Sequence, residues 1–570
     1  MERDYTTVRK HLDYPKLTMF QMVQRAAENY PNAYAYEFYG KKTTYRQFIS
    51  RIERAARAFT AMGIRRRDRV TICMPNTPQA LDCFYALNRI GAVCNMVHPL
   101  SAQKEITFYL NFSESRMILT MDLFYEKVAA AVAECENPVT ILTARMQDEL
   151  PLAKAAGFSL TKGRSFLKFP NTYNGMLWTT FLTKGGLSVK LPDIVYDPKE
   201  TAAILYSGGT SGNPKGICLS DQNFNATALQ ATEAIQMPLG ATDTMLACMP
   251  VFHGFGLGIN IHTVLINGAR CILMPTFDLK TYSDWLKNKK PNYIAGVPTI
   301  FEALLHAEQL EGADLSFLKG MFCGGDALSV ELKKKVDTFL KEHHATIQIR
   351  EGYGLTECVT ASCLTPRDTY RENSIGLPFP DTEYCVVRPG TDEELPPNEE
   401  GEIILKGPSV MIGYLKNEKE TKETLRRLAD GDIWLFSGDL GYIDEDGYVY
   451  FKQRIKRMII TNGYNVYPGQ IENVIDSCDE VAYSCVIGVK DPRRMQRVRA
   501  YVVLKPGFIG DEAMKEKILN TLKMHVAAYA IPKEIEFRRD LPKTLVGKVA
   551  YRKLEEEANS EQEGNNGETK

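Results

Sequence analysis

The sequence predicts an α/β protein: a large N-terminal domain of doubly wound sheets with a small β subdomain, followed by a smaller α+β C-terminal domain. Three observations lead there. A chain of 570 residues is too long for one hydrophobic core and divides into domains. From residue 1 to about 380, strand-like and helix-like stretches alternate, the pattern of a parallel sheet with crossover helices. From Glu383 short strands and turns take over, and after Arg454 the pattern is mixed α+β. The expected divisions are 1–453, 454–556 and a disordered acidic tail at 557–570.

The elements follow in order. Thr44-x-x-Gln47 is a capping box, and Phe48, Ile52, Ala55 and Phe59 behind it lie on one helical face. Gly63 ends that helix. Residues 70–74 read as a buried strand, Asn76 with Pro78 opens a second helix to Ile90, and 92–97 is the next strand. This β-α-β unit calls for a parallel sheet with right-handed crossovers. The alternation recurs as a strand at 244–247, a helix near 256–266, a strand at 270–274 and a helix after Thr281. Short strands at 384–388, 401–406, 440–444 and 448–452 form the β subdomain. Beyond Arg454, strands at 481–488, 498–504 and 534–537 surround a helix from Asp511 to about Val526. The tail from Glu555 is rich in Glu, Asn and Ser, a composition that does not support a core.

Residues 145–195 fit no tidy alternation. The basic and aromatic run Lys162-Gly-Arg-Ser-Phe-Leu-Lys-Phe-Pro170, followed by Trp178, suits either a weakly membrane-touching flap or a plain surface excursion.

Composition narrows the function classes. Hydrophobic residues make up 44% of the chain and charged ones 24%, values of a soluble globular protein. The formal net charge of −1 supplies no field for nucleic acid. Arg65-Arg66-Arg67 reads as a solvated corner. The N-terminus carries no leader-like apolar run, and no stretch is long and apolar enough to span a bilayer. The 13 cysteines include no Cys-x-x-Cys pair, and Cys73, Cys218 and Cys271 sit in apolar runs. They read as small buried hydrophobes in a reducing cytoplasm, and a zinc site is not expected.

Chemistry concentrates in Leu205-Tyr-Ser-Gly-Gly-Thr-Ser-Gly-Asn-Pro-Lys-Gly216. Glycines let backbone N–H groups converge on an anion. Ser207, Thr210 and Ser211 add hydroxyl donors, Gly209 turns the chain, and Lys215 adds a point charge. The order is strand, loop, strand, so this is a glycine-rich hairpin and not a Walker loop, which opens a helix. The competing reading is a flexible surface hairpin.

Further constellations follow. Gly352-Tyr353-Gly-Leu-Thr356-Glu357 offers an aromatic face between glycines, a hydroxyl, and a carboxylate for a hard cation such as Mg²⁺. Cys323-Gly324-Gly325-Asp326-Ala-Leu328 is a turn before a helix. Pro250-Val-Phe-His253-Gly254-Phe-Gly256 sets a histidine between a strand end and a glycine turn. Asp439, in Ser-Gly-Asp-Leu-Gly, can accept from two ribose hydroxyls, and Arg454 can donate to ribose or phosphate. Arg454-Ile-Lys456 ends the β subdomain. Gly463 and Lys548 lie in Thr-Asn-Gly-Tyr-Asn and Val-Gly-Lys turns, each weak by itself.

In this order the motifs resemble those of the adenylate-forming enzymes: acyl-CoA synthetases, luciferases and the adenylation domains of peptide synthetases. The resemblance runs from residue 205 to 548. It departs at Gly208, where Ser or Thr is frequent, and at Met495-Gln-Arg-Val, where many relatives have Gly-Glu. It implies a phosphate-holding loop, Tyr353 stacked on adenine, Thr356 on the α-phosphate and Glu357 on magnesium. It implies that Gly324, Gly325 and Asp326 wall the adenine and the acyl group, with His253 beside the substrate carboxylate. Asp439 and Arg454 would clamp the ribose, Lys456 would be a hinge, Gly463 would border the pantetheine arm, and Lys548 would be the catalytic lysine of a mobile C-terminal domain.

The expected activity is ATP-dependent acyl-CoA synthesis through acyl-AMP, with ATP, Mg²⁺ and CoA as the small molecules and no nucleic-acid partner. The expected acyl pocket is His253, Gly254, Val297, Pro298, Gly324 and Gly352. Small, uncharged residues there favour a medium- or long-chain fatty acid over an amino acid; an aryl acid stays open. So do transfer to a carrier-protein phosphopantetheine, a nucleotide-sensing protein with a degenerate site, and a luciferase-like oxygenase.

Overall fold

The computed structural model describes residues 11–151, 154, 155, 157, 175–207, 214–457, 459–461, 464–466, 468–491, 495–527, 529–543 and 549–567. Two large sheets share one layer of helices. The first has nine strands, with Ile349–Tyr353, Gly320–Gly324, Tyr293–Gly296, Thr244–Ala247 and Arg270–Leu273 parallel at its centre. The second has eight, centred on Thr201–Ser207, Val93–Met96, Arg69–Cys73 and Met117–Met121. The doubly wound α/β class is therefore observed.

The predicted helix starts are explained locally. Thr44 and Gln47 make the reciprocal capping box of the helix Tyr45–Ala61. Thr77 caps Pro78–Arg89, with proline in its first turn, where the missing N–H costs nothing. That helix is buried almost all round, which places it inside the shared layer. Asn76, just past the strand Arg69–Cys73, donates to the carbonyls of Ala247 and Met249 at 3.1 and 2.9 Å. The C-terminal edges of the two sheets are thereby pinned together. Ligand crevices of α/β proteins form at such edges.

A third, five-stranded sheet holds Glu383–Val387, Gly401–Lys406, Leu425–Arg427, Ile433–Ile443 and Val449–Arg454. A fourth, built from Ile459–Thr461, Tyr464–Val466, Val481–Asp491, Met495–Leu504 and Glu534–Phe537, carries the C-terminal part. Its apolar residues form clusters separate from the main core.

Three details depart from the sequence expectations. The helix near 256–266 is a π-helix, Phe255–Thr263, continued by a short α-turn. Such segments gather at functional sites. Trp178 is buried against Phe59 and Phe181, so it is core and no part of a surface flap; the basic run 162–170 lies outside the described residues. Residues 557–567 of the tail expected to be disordered continue the helix Tyr551–Gly567. Leu554 and Ala558, one turn apart, are buried with Cys485, Ile487 and Tyr501. Lys490 N donates to Asn559 Oδ1 at 3.1 Å. Composition registers the polarity of this segment and misses the single apolar stripe that docks it.

Candidate active site

A cavity of about 1800 Å³ opens along the C-terminal ends of the central strands. Ser207 and Lys215 stand at its edge as the last and first residues of the antiparallel strands Thr201–Ser207 and Lys215–Ser220, paired in register. The glycine-rich segment thus joins two antiparallel strands. Gly209, Thr210 and Ser211 lie outside the described residues. Lys215 makes an ion pair with Glu420 and lies 4.8 Å above the ring of Tyr414. Tyr414 OH in turn donates to Glu357 Oε1 at 2.8 Å. Burial and the Glu357 carboxylate both push the Tyr414 hydroxyl's pKa up, so it stays a neutral donor. Sequence reasoning missed Tyr414 and Glu420. Their only signal is the short strand Gly413–Tyr414, which pairs with the strand that begins at Lys215.

The strand Ile349–Tyr353 ends at the cavity with Gly352 and Tyr353, and the 3₁₀ turn Thr356–Cys358 follows with Thr356 and Glu357 on the wall. Tyr353 OH donates to Asp439 Oδ2 at 2.6 Å. Arg454 Nε lies 3.4 Å from Asp439 Oδ1, because Asp439 and Arg454 sit opposite each other in the ladder of Ile433–Ile443 and Val449–Arg454. Asp439 is buried. Its charge is the first cause raising the Arg454 pKa, ahead of Tyr353 and Glu357. Burial, then Asp439, holds the Tyr353 phenol well above its ordinary pKa. The three groups form a donor–carboxylate–cation set between the main sheet and the β subdomain.

Gly324, Gly325 and Asp326 leave the strand Gly320–Gly324 into the cavity wall, beside Val297 and Pro298 at the start of the helix Pro298–Leu304. Next to them Glu351 Oε1 accepts from Leu328 N at 3.0 Å, and burial raises this carboxyl's pKa to about 7. His253 lines the cavity, with Nδ1 accepting from Phe255 N at 3.2 Å. Gly254 does not face the cavity: a Cβ there would stand 1.7 Å from the Val359 carbonyl oxygen. Glycine at that position serves the close approach of two backbones.

The cavity also has an apolar arm that sequence reasoning did not find. Phe255, Ile259 and Thr263 from the π-helix face Ala231, Ile235, Phe322 and Leu364. The spacing 255, 259, 263 was readable as one helical face, but its partners come from distant strands.

At the junction with the C-terminal part, Lys456 falls in the 3₁₀ turn Ile455–Arg457. Arg454 on one side of it holds Asp439, while Arg457 on the other donates to Glu472 Oε1 at 2.5 Å and Val486 O at 3.3 Å. Gly463 and Lys548 lie outside the described residues. The residues on either side of that segment are described: Lys543 and Val549 form an antiparallel bridge, and Ala550 N donates to Pro542 O at 2.7 Å. Among the described residues no cluster of three or more His, Cys, Asp or Glu could hold a metal ion. No helix of theirs is long and apolar enough to cross a membrane.

Comparison with known proteins agrees with this geometry. The AMP-binding enzyme family model matches residues 23–415, and the AMP-binding enzyme C-terminal domain matches 470–548. A long-chain-fatty-acid–CoA ligase of Bacillus subtilis (strain 168) is 34% identical over 96% of this chain and 95% of its own length. One of Salmonella typhimurium is 30% identical over 95% and 94%. The crystal structure of ATP-bound MatB from Rhodopseudomonas palustris superimposes with a TM-score of 0.80 at 26% identity, covering 95% of this chain and 99% of that one. With both family parts matched in order and the motif residues gathered on one cavity, the chain belongs to the AMP-binding enzyme family.

Proposed function

We propose that this enzyme is an ATP-dependent acyl-CoA synthetase acting on medium- or long-chain fatty acids. The substrate carboxylate attacks the α-phosphorus of ATP, the bond to the bridging oxygen of pyrophosphate breaks, and acyl-AMP forms. The thiol of CoA then attacks the acyl carbon, loses its proton, and AMP leaves. The observation that carries this reading is the apolar arm of Phe255, Ile259, Ala231, Ile235 and Phe322 continuous with the Tyr353–Asp439–Arg454 set. The names of the Bacillus and Salmonella relatives support the same substrate class.

The first step brings an anionic nucleophile to an anionic phosphate, so it needs positive charge and alignment more than proton transfer. Arg454 and Asp439 suit the ribose, and Tyr353 suits the adenine. Lys215 and the glycine-rich segment suit the pyrophosphate, with Glu420 yielding Lys215 as the phosphates arrive. Thr356 suits the α-phosphate. His253 stands where the carboxylate would enter, and the family resemblance gives Lys548 the role of the cation at the reacting centre. Glu357 fits Mg²⁺: it is a hard oxygen donor, and a site with one carboxylate takes its other ligands from phosphate and water. When bound, the ion supplies charge neutralisation of the polyphosphate. Lys456 would absorb the rotation between the two half-reactions, with Gly463 bordering the thiol's path in the second. Arg454 is tied to the β subdomain and Arg457 to the C-terminal part, which supports a division within the turn Ile455–Arg457, just past the expected 453/454. The 13 free cysteines suit a reducing cytoplasm.

The test is thioester formation by the full chain from decanoic acid, ATP, Mg²⁺ and CoA, compared with benzoic acid and with a phosphopantetheinyl carrier protein as acceptor. Decanoyl-CoA as the preferred product supports the proposal. Preference for benzoic acid or for the carrier overturns it.

A further inference from the structure

Deep in the apolar arm stands an aromatic residue held from two sides. Register on the main sheet sets its helix-facing side chains in rows. Gly324 and Gly352 are level with the nucleotide wall. Ala295, Phe322 and Arg350 form the next row, and Met245, Tyr293 and Gly320 the third. Alternate residues of a strand share a face about 7 Å apart, so the third row lies roughly 13 Å below the first. The rows near the nucleotide are small and open, while Phe322, Tyr293 and Met245 line the cavity farther in.

Tyr293 is fully buried, and its hydroxyl donates to Pro238 O at 2.5 Å. Its ring lies nearly parallel to Phe322, at 11° with centroids 6.4 Å apart. Gly320 permits this, since a Cβ there would stand 2.7 Å from Phe322 Cζ and 2.9 Å from Tyr293 Cδ1. Behind Phe322, at 5.6 Å from its centroid, the buried Arg350 guanidinium donates to the carbonyls of Ala234, Ile235 and Thr365 at 2.8, 2.6 and 2.7 Å. It fastens the end of the helix Asp221–Ala234, which supplies the facing wall through Ala231 and Ile235. Close-packed interiors give way only at a cost, and a floor tied on both sides cannot recede for an extra methylene.

We propose that Tyr293 is the residue that sets the longest acyl chain this enzyme activates. This rests on the reading of the arm as an aliphatic-acid site. The experiment measures kcat/KM in ATP–pyrophosphate exchange for straight-chain acids from hexanoic to docosanoic, for the full-length chain and for Tyr293→Ala. The wild-type profile should break off within the series. Tyr293→Ala should raise kcat/KM for the first acid beyond the break by on the order of 10-fold or more, with octanoic acid unchanged. Tyr293→Leu, which keeps more of the packing, should move the break in the same direction by less. It decides the matter if the alanine variant fails to fold. A break unmoved in the folded variants, or a wild-type profile without one, overturns the role of Tyr293 and leaves the aliphatic reading intact. A wild type that takes none of these acids overturns the reading itself.

Discussion

Tyr353 and Asp439 share a 2.6 Å hydrogen bond that ties the end of the main sheet to the β subdomain, with the Asp439 carboxylate also 3.4 Å from Arg454 Nε. One buried carboxylate therefore orients both an aromatic face and a cation toward the same cavity.

Asp439→Ala should weaken ATP binding by on the order of 10- to 100-fold, because charge-assisted hydrogen bonds are lost and Arg454 and Tyr353 lose their shared partner. Tyr353→Phe removes one hydroxyl and leaves the ring, so its loss should be smaller. Titration calorimetry with ATP checks both. Equal losses would mean that Asp439 acts only by holding Tyr353.

Glu357→Ala should raise the Mg²⁺ concentration needed for half-maximal ATP binding, since one anionic ligand is removed. Calorimetric titration of Mg²⁺ at fixed ATP reads this directly. An unchanged requirement would remove Glu357 from the metal site.

Lys548→Ala and Lys456→Pro should separate the half-reactions in opposite directions. The first should cut adenylate formation by on the order of 100-fold, as loss of a preorganised charge does, while thioester formation from supplied acyl-AMP survives. The second fixes φ near −65° in the turn Ile455–Arg457, and should spare adenylation in part while thioester formation falls far more. Equal loss of both steps in Lys456→Pro would contradict a two-position mechanism.

Glu351 gives a pH test. Burial lifts its carboxyl pKa from 4.5 to about 7 in the folded chain. Between those values the folded state binds more proton than the unfolded one. Stability therefore falls as pH rises through that window and levels off above it. Glu351→Gln should flatten the fall in Tm between about pH 5 and pH 7. A Tm profile of Glu351→Gln that runs parallel to the wild type's across the window would contradict the assignment.

The hairpin around Lys215, the capping box Thr44–Gln47 and the Asp439–Arg454 pair were legible because each is a local pattern with one structural solution. The π-helix Phe255–Thr263 was not, since an apolar run fits either helical period and the choice is made by packing on the sheet. The role of Glu420 and Tyr414 opposite Lys215 and Glu357 depends on a strand pairing across nearly two hundred residues, which no local pattern encodes. The terminal helix was hidden because two buried residues, Leu554 and Ala558, dock a segment that is otherwise polar.

The most direct measurement of the central claim is carboxylate-dependent exchange of labelled pyrophosphate into ATP in the absence of CoA. Decanoic acid should support exchange of label into ATP with no ADP or phosphate formed, and adding CoA should convert the stalled acyl-AMP to thioester and AMP. Exchange that requires CoA, or release of ADP and phosphate, would contradict an acyl-AMP intermediate in this enzyme.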